Sequence, residues 1–201
     1  MARDIGSLMP PELRVYGQLK FLTFQCLCIQ LLSALLHVGA HFASALRRPR
    51  DLVFASLAYP VGSIVVYSFW AVWHLMGREL IFPAELSKFY PDWLNHATHT
   101  VLAPLNLLLA VLVKHEYRPG GAAVTLLYFA LYTAFLHLIK FQSGHFVYRY
   151  LETMDDAQRL VYFASTALFA YLMYKSGQLV TRLAHAKASQ RPPAKKGAKQ
   201  R

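Results

Sequence analysis

Thr23, in the segment Lys20-Phe21-Leu22-Thr23-Phe24, and His99, in Trp93-Leu94-Asn95-His96-Ala97-Thr98-His99, lie early in two long apolar stretches. A hydroxyl and an imidazole are costly in hydrocarbon unless they face protein or water. A threonine hydroxyl becomes a nucleophile when a base can take its proton, and an imidazole is such a base. If apolar helices alternate across a bilayer, both groups lie near the same face of the membrane. The chemistry this suggests is a nucleophile–base pair acting on a lipid.

The elements that would hold the pair follow from composition. The 201 residues are 56% hydrophobic and 15% charged. The apolar residues come in runs of about 20, the length that crosses a hydrocarbon core of about 30 Å. The expected fold is all-α, a polytopic integral membrane bundle of about five transmembrane helices in one domain, residues 1–186. Residues 187–201 carry six Lys or Arg, no acid, Pro192, Pro193 and Gly197. They read as a basic disordered tail that attracts anionic lipid heads. Without interleaved aromatics or a folded partner the tail does not suggest nucleic acid. Cys26 and Cys28 stand two apart on one helix and so do not face each other, which excludes a disulfide between them.

The first span is expected from Tyr16 to Leu46, ended by Arg47-Arg48-Pro49-Arg50-Asp51. The second runs from Leu52 to Met76, kinked at Pro60 and Gly62. The third runs from Asp92 to Val113, kinked at Pro104. A Pro119-Gly120-Gly121 turn leads to the fourth, Ala122 to Phe141. An interfacial segment, 142–156, precedes the fifth, Ala157 to Leu183. Residues 1–14 hold Asp4, Pro10, Pro11 and Glu12 and no apolar core of a cleavable signal, so the first span serves as insertion signal. The first loop, the third loop and the tail share one side and hold the larger share of Lys and Arg. The positive-inside rule makes that side, with the C-terminus, cytosolic.

Thr23 and His99 both fall roughly 5–12 Å inside the opposite face at 1.5 Å per residue. Asn95 is four residues before His99 and shares its helix face, where it could orient the imidazole. It could equally cap the helix or bond a neighbour. His96 is an alternative base or a second polar anchor. Each residue alone also has an ordinary structural role: an intramembrane threonine commonly bonds its own i−4 carbonyl. Arg78 and Lys20 could hold a substrate carboxylate, or could simply snorkel. His96, His99 and His137 raise a metal or haem alternative, but their spacing matches no strong metal motif, and no metal is assigned. No G-x-S-x-G elbow, P-loop, dinucleotide fingerprint or CxxC pair is present.

Five blocks together resemble the androgen-induced gene one / androgen-dependent TFPI-regulating protein family. They are Lys20–Phe24, Tyr59-Pro60-Val61-Gly62, Arg78-Glu79-Leu80-Ile81-Phe82-Pro83, Trp93–Thr100 and Gly144–Glu152. They stand in the family's order over roughly residues 16–180. The resemblance implies a multi-pass threonine hydrolase that needs no cofactor. Its substrates would be fatty acid esters of hydroxy fatty acids (FAHFAs). By motif position the nucleophile falls on Thr23 and the base on His99. Two features depart from the family. Its members usually carry another hydrophobic helix ahead of the first one here, which residues 1–14 do not supply. A double histidine of some members is Lys140-Phe141.

The expected activity is therefore carboxylic ester hydrolysis in the endoplasmic reticulum or plasma membrane, with lipid substrate and membrane lipids as partners. A membrane lipid binder or transporter is the alternative. Oligomeric state, chain-length preference and oxyanion donors are left open.

Overall fold

The computed structural model describes residues 16–78, 81 and 90–186. The expected tail and most of the connecting segment after Arg78 lie outside them. A 3₁₀ turn, Gly17–Lys20, leads into α1 (Leu22–Phe42). α2 (Arg47–Val53) passes through a π-helical turn, Phe54–Ala58, into α3 (Tyr59–Leu75). α4 (Asp92–His99) and α5 (Leu102–Leu112) follow, then α6 (Gly121–Ser143), the short α7 (Arg149–Glu152) and α8 (Asp156–His185). The described residues contain no strand.

The all-helical bundle is as expected, with differences in how the spans are made. Among the described residues three stretches are long and apolar enough to cross a membrane as helices: Leu22–Phe42, Ser44–Leu75 and Gly121–Ser143. The third expected span is divided at Thr100–Val101, whose amides both donate to the His96 carbonyl (2.9 and 3.1 Å). The break precedes Pro104 because a proline is tolerated in the first turn of a helix, where its N–H would have no partner, and not in the interior. Pro104 accordingly sits in the first turn of α5. α8 is 30 residues long and more polar, yet Leu160, Leu168, Leu172, Leu179 and Leu183 lie exposed along it. Such a surface suits lipid.

Arg47–Asp51, expected as a loop, is helix. Pro49 falls in the first turn of α2 and breaks nothing. Chain reversal occurs instead at Ala43, where the backbone turns extended. The apolar middle of the Ser44–Leu75 stretch, from Phe54 to Val66, is almost wholly buried and is the centre of the bundle. α1, α4, α5 and α8 pack on its α3 part. Val61, Ile64 and Val65 of α3 meet Cys26 of α1, Phe129 and Leu136 of α6 and Ala170 of α8 in the core.

The kink expected at Pro60 is a π turn just ahead of it. In α register Pro60 would leave the Ser56 carbonyl without its N–H. Thr125 Oγ1 of α6 donates to that carbonyl at 2.7 Å. The Ala58 carbonyl accepts from Gln30 Nε2 of α1 (2.8 Å) and Asn106 Nδ2 of α5 (3.0 Å). Gly62 leaves room for both amides: a Cβ there would stand 2.5 Å from Asn106 Nδ2 and 2.7 Å from Gln30 Nε2. One irregular turn thus ties four helices together.

α6 is bounded by Gly120 (φ 87°) and Gly144 (φ 74°), both in the left-handed region that glycine enters without strain. Asp155 caps α8 in a capping box with Gln158. Cys26 and Cys28 are both free thiols.

Candidate active site

α1 and α4 start at the same end of the bundle, and this brings Thr23 and His99 together. Thr23 Oγ1 lies 3.2 Å from His99 Nε2. The threonine is half-buried and the histidine 6% exposed. The other ring nitrogen fixes the tautomer. Nδ1 faces the Asn95 side-chain oxygen at 3.0 Å and the Asn95 main-chain oxygen at 3.2 Å. Both can only accept, so Nδ1 carries the proton. The Thr98 oxygen, 2.9 Å from Nδ1, accepts as well. Its own proton goes to the Leu94 carbonyl (2.9 Å), and the Tyr90 hydroxyl stands 2.9 Å away. Nε2 therefore presents a bare lone pair to the Thr23 hydroxyl. That is the protonation state a general base requires.

Aromatic side chains of α3 hold the imidazole from below. The Phe69 ring stacks on His99 with centroids 3.8 Å apart and planes 15° from parallel. Trp70 Nε1 donates to the His99 carbonyl (3.0 Å) and to Thr100 Oγ1 (3.2 Å). The start of α1, which carries Thr23, is pinned as firmly. The Leu22 amide donates to Tyr148 Oη at 2.9 Å. Tyr132 Oη donates to the Lys20 carbonyl at 2.9 Å and lies 3.0 Å from Tyr148 Oη.

The other expected residues do not all join this contact. Asn95 is buried against His99. His96 is exposed, on the outer side of the helix; its Nδ1 lies 3.0 Å from Thr100 Oγ1 and its ring stacks on Trp70. It does not line the Thr23–His99 contact. Lys20 is 2% exposed and donates to the Gly17 carbonyl at 2.7 Å. Arg78 is exposed, its guanidinium carbon 5.0 Å from the centre of the Trp73 ring. His137 is on α6, its Nδ1 2.8 Å from the Thr133 carbonyl and its ring against Phe146 and Phe163. Among the described residues no three His, Cys, Asp or Glu side chains converge as metal ligands.

Sequence reasoning missed Thr98, Phe69, Trp70, Tyr132 and Tyr148 as supports. Thr98 is next to His99 in sequence, a spacing at which helix side chains do not share a face, so the i, i+4 argument does not reach it. The tyrosines meet the start of α1 from residues more than 100 positions away, a pairing that no local pattern encodes.

A family model described as FAR-17a/AIG1-like protein matches residues 6–182. Human androgen-induced gene 1 protein is 32% identical over 190 residues, 86% of this chain and 79% of that protein. Human androgen-dependent TFPI-regulating protein is 34% identical over 131 residues, 64% of this chain and 56% of that protein. Its mouse counterpart is 28% identical over 133 residues, 65% and 57% respectively. The chain thus matches little more than half the length of these TFPI-regulating proteins. No solved structure matches the chain. Matched over most of its length by the family model, and built as a membrane helical bundle, the chain belongs to the FAR-17a/AIG1-like family.

Proposed function

We propose that this protein is an intramembrane threonine esterase that cleaves fatty acid esters of hydroxy fatty acids. The observation that carries the reading is the Thr23–His99–Asn95 chain of contacts, with the lone pair of Nε2 directed at the hydroxyl. His99 Nε2 takes the Thr23 proton as Oγ1 attacks the ester carbonyl carbon. The tetrahedral intermediate collapses. His99 returns the proton to the leaving alkoxide, and the hydroxy fatty acid departs. Water then attacks the acyl-threonine, giving its proton to His99, and the second fatty acid leaves as Thr23 is restored. Asn95 keeps the Nδ1 proton in place and stabilises the imidazolium. No step needs a cofactor or a metal. The substrate class comes from the family resemblance, and lateral entry from lipid fits the apolar faces around the site.

The test is hydrolysis of such an ester by the purified chain in lipid, beside Thr23→Ala. Turnover that vanishes in Thr23→Ala, together with fluorophosphonate labelling of Thr23, supports the reading. A folded wild type with neither turnover nor labelling moves the protein to a lipid-binding or transport role. From the positive-inside rule we also propose that the C-terminus faces the cytosol, the membrane being that of the endoplasmic reticulum or the plasma membrane.

A further inference from the structure

We propose that the exposed cluster of Arg78, His74 and His96, carried on the indoles of Trp70 and Trp73, is a subsite for an anionic lipid head, a carboxylate or a phosphate. Trp70 and His74 stand four residues apart on one face of α3, and Arg78, beyond the left-handed Gly77 (φ 96°) that follows the helix, folds back onto Trp73. α4 supplies His96 from across the interface. Trp70 stacks with His74 (centroids 5.7 Å) and with His96 (5.6 Å). The guanidinium of Arg78 covers Trp73, and the Trp70 and Trp73 centroids are 5.6 Å apart. All three cationic or N–H-bearing side chains are exposed.

The cluster is fixed to the candidate active site. The Trp70 N–H is held by the His99 carbonyl, and Phe69, which lies under the His99 ring, is 5.4 Å from Trp73. A guanidinium lying over an indole keeps its N–H fork in one plane, the geometry that matches a carboxylate or phosphate with two parallel bonds. The imidazoles add N–H donors beside it. Asp92, one turn before His96 on α4, is the acid of that helix, so attraction must come from Arg78 and the imidazoles. An acyl lipid whose reactive carbonyl lay at Thr23 would then be anchored by its charged head near Arg78. This last step rests on the esterase reading. The binding of an anion does not.

The three tryptophans make the test direct. With Trp93→Phe as background, Trp70 and Trp73 report on the subsite by fluorescence in zwitterionic nanodiscs. Titrants are palmitate, dodecyl phosphate and methyl palmitate. The expected result is binding of the two anions about tenfold tighter than the neutral ester, a preference erased by Arg78→Gln with His96→Gln and kept in part by Arg78→Lys. The ratio of the two anions identifies which head the subsite serves. Equal response to all three, or an anion preference that survives the double variant, overturns the proposal. A kinetic arm compares an ester bearing a free carboxylate with its methylated form: the double variant should raise KM for the acid alone. If the wild type cleaves neither ester yet shows the anion preference, the esterase reading falls and the subsite stands.

Discussion

At the residue scale, the arrangement assigns each atom of His99 one task. Nε2 faces a hydroxyl, and Nδ1 faces only acceptors. Thr23→Ala and His99→Ala should each lower ester turnover by about a hundredfold or more, since neither nucleophile nor base can then act. Thr23→Ser should keep measurable turnover, because the hydroxyl is retained. Asn95→Ala is a finer probe. It removes one acceptor of Nδ1, while the main-chain oxygen and Thr98 still hold the proton. The expected loss is about tenfold in kcat with KM unchanged. Steady-state kinetics in nanodiscs reads all four, with circular dichroism confirming helix content. An Asn95→Ala enzyme with unaltered kcat would mean that the asparagine only packs. The pairing itself was legible in the sequence, because alternating spans put both segments at one face and the i, i+4 spacing put Asn95 beside His99. The outward placement of His96 was not. One turn of helix separates it from His99, and only the neighbour across the interface, Trp70, decides which side is inside.

At the element scale, the π turn is the irregularity on which the bundle is assembled. Pro60 has no N–H to give the Ser56 carbonyl, and three neighbouring helices donate to carbonyls of this turn. Gly62→Ala should displace Asn106 or Gln30 from the Ala58 carbonyl, since the added Cβ would lie well inside contact distance of both amides. Thr125→Val should leave the Ser56 carbonyl without its partner from α6. Each change strands a buried polar group and should cost about 1–3 kcal/mol. Thermal unfolding in detergent measures it, and an unshifted Tm in both would show that the helices do not depend on this turn. Pro60 and Gly62 marked the spot in the sequence, but not the form of the irregularity. A proline next to a glycine is compatible with a kink, a break or a bulge, and the choice is made by Thr125, Asn106 and Gln30 on other helices. The same reasoning explains Pro49. Read locally it ends a helix, whereas in the structure it begins one.

At the scale of the whole molecule, the end remote from Thr23 is joined by a different polar contact. His115, after α5, sits with Nδ1 3.0 Å from Asp51 Oδ1, and Arg50 donates to the same oxygen. Burial pushes the His115 imidazole below its ordinary value, and the Asp51 carboxylate offsets this only in part. A group whose folded value is depressed contributes stability above its unfolded value, near pH 6.5 for histidine, and loses it as pH falls toward the folded value. Tm should therefore drop between pH 7.5 and 5, and His115→Gln should flatten that slope. The Asp51–His115 contact, with Thr181 donating to the Ala110 carbonyl at 3.3 Å, also brings α2, the segment after α5 and the end of α8 to one end of the bundle. Arg47, Arg48, Lys114 and Arg182 are exposed there. At the other end Lys140 pairs with Glu152, and Arg159 with Asp156. There the Lys140 ammonium and the Phe146 amide outweigh burial and hold the Glu152 carboxyl below its usual range, so the lysine's charge is matched. Four exposed cations thus gather at the end where α8 finishes, and we propose from the positive-inside rule that this end faces the cytosol. A C-terminal epitope tag in intact membranes should be cleaved by protease added from the cytosolic side. Replacing Arg47, Arg48, Lys114 and Arg182 with Gln should produce a population in which the tag is protected. Protection of the tag in the wild type would reverse the orientation, and would place Thr23 and His99 at the cytosolic face.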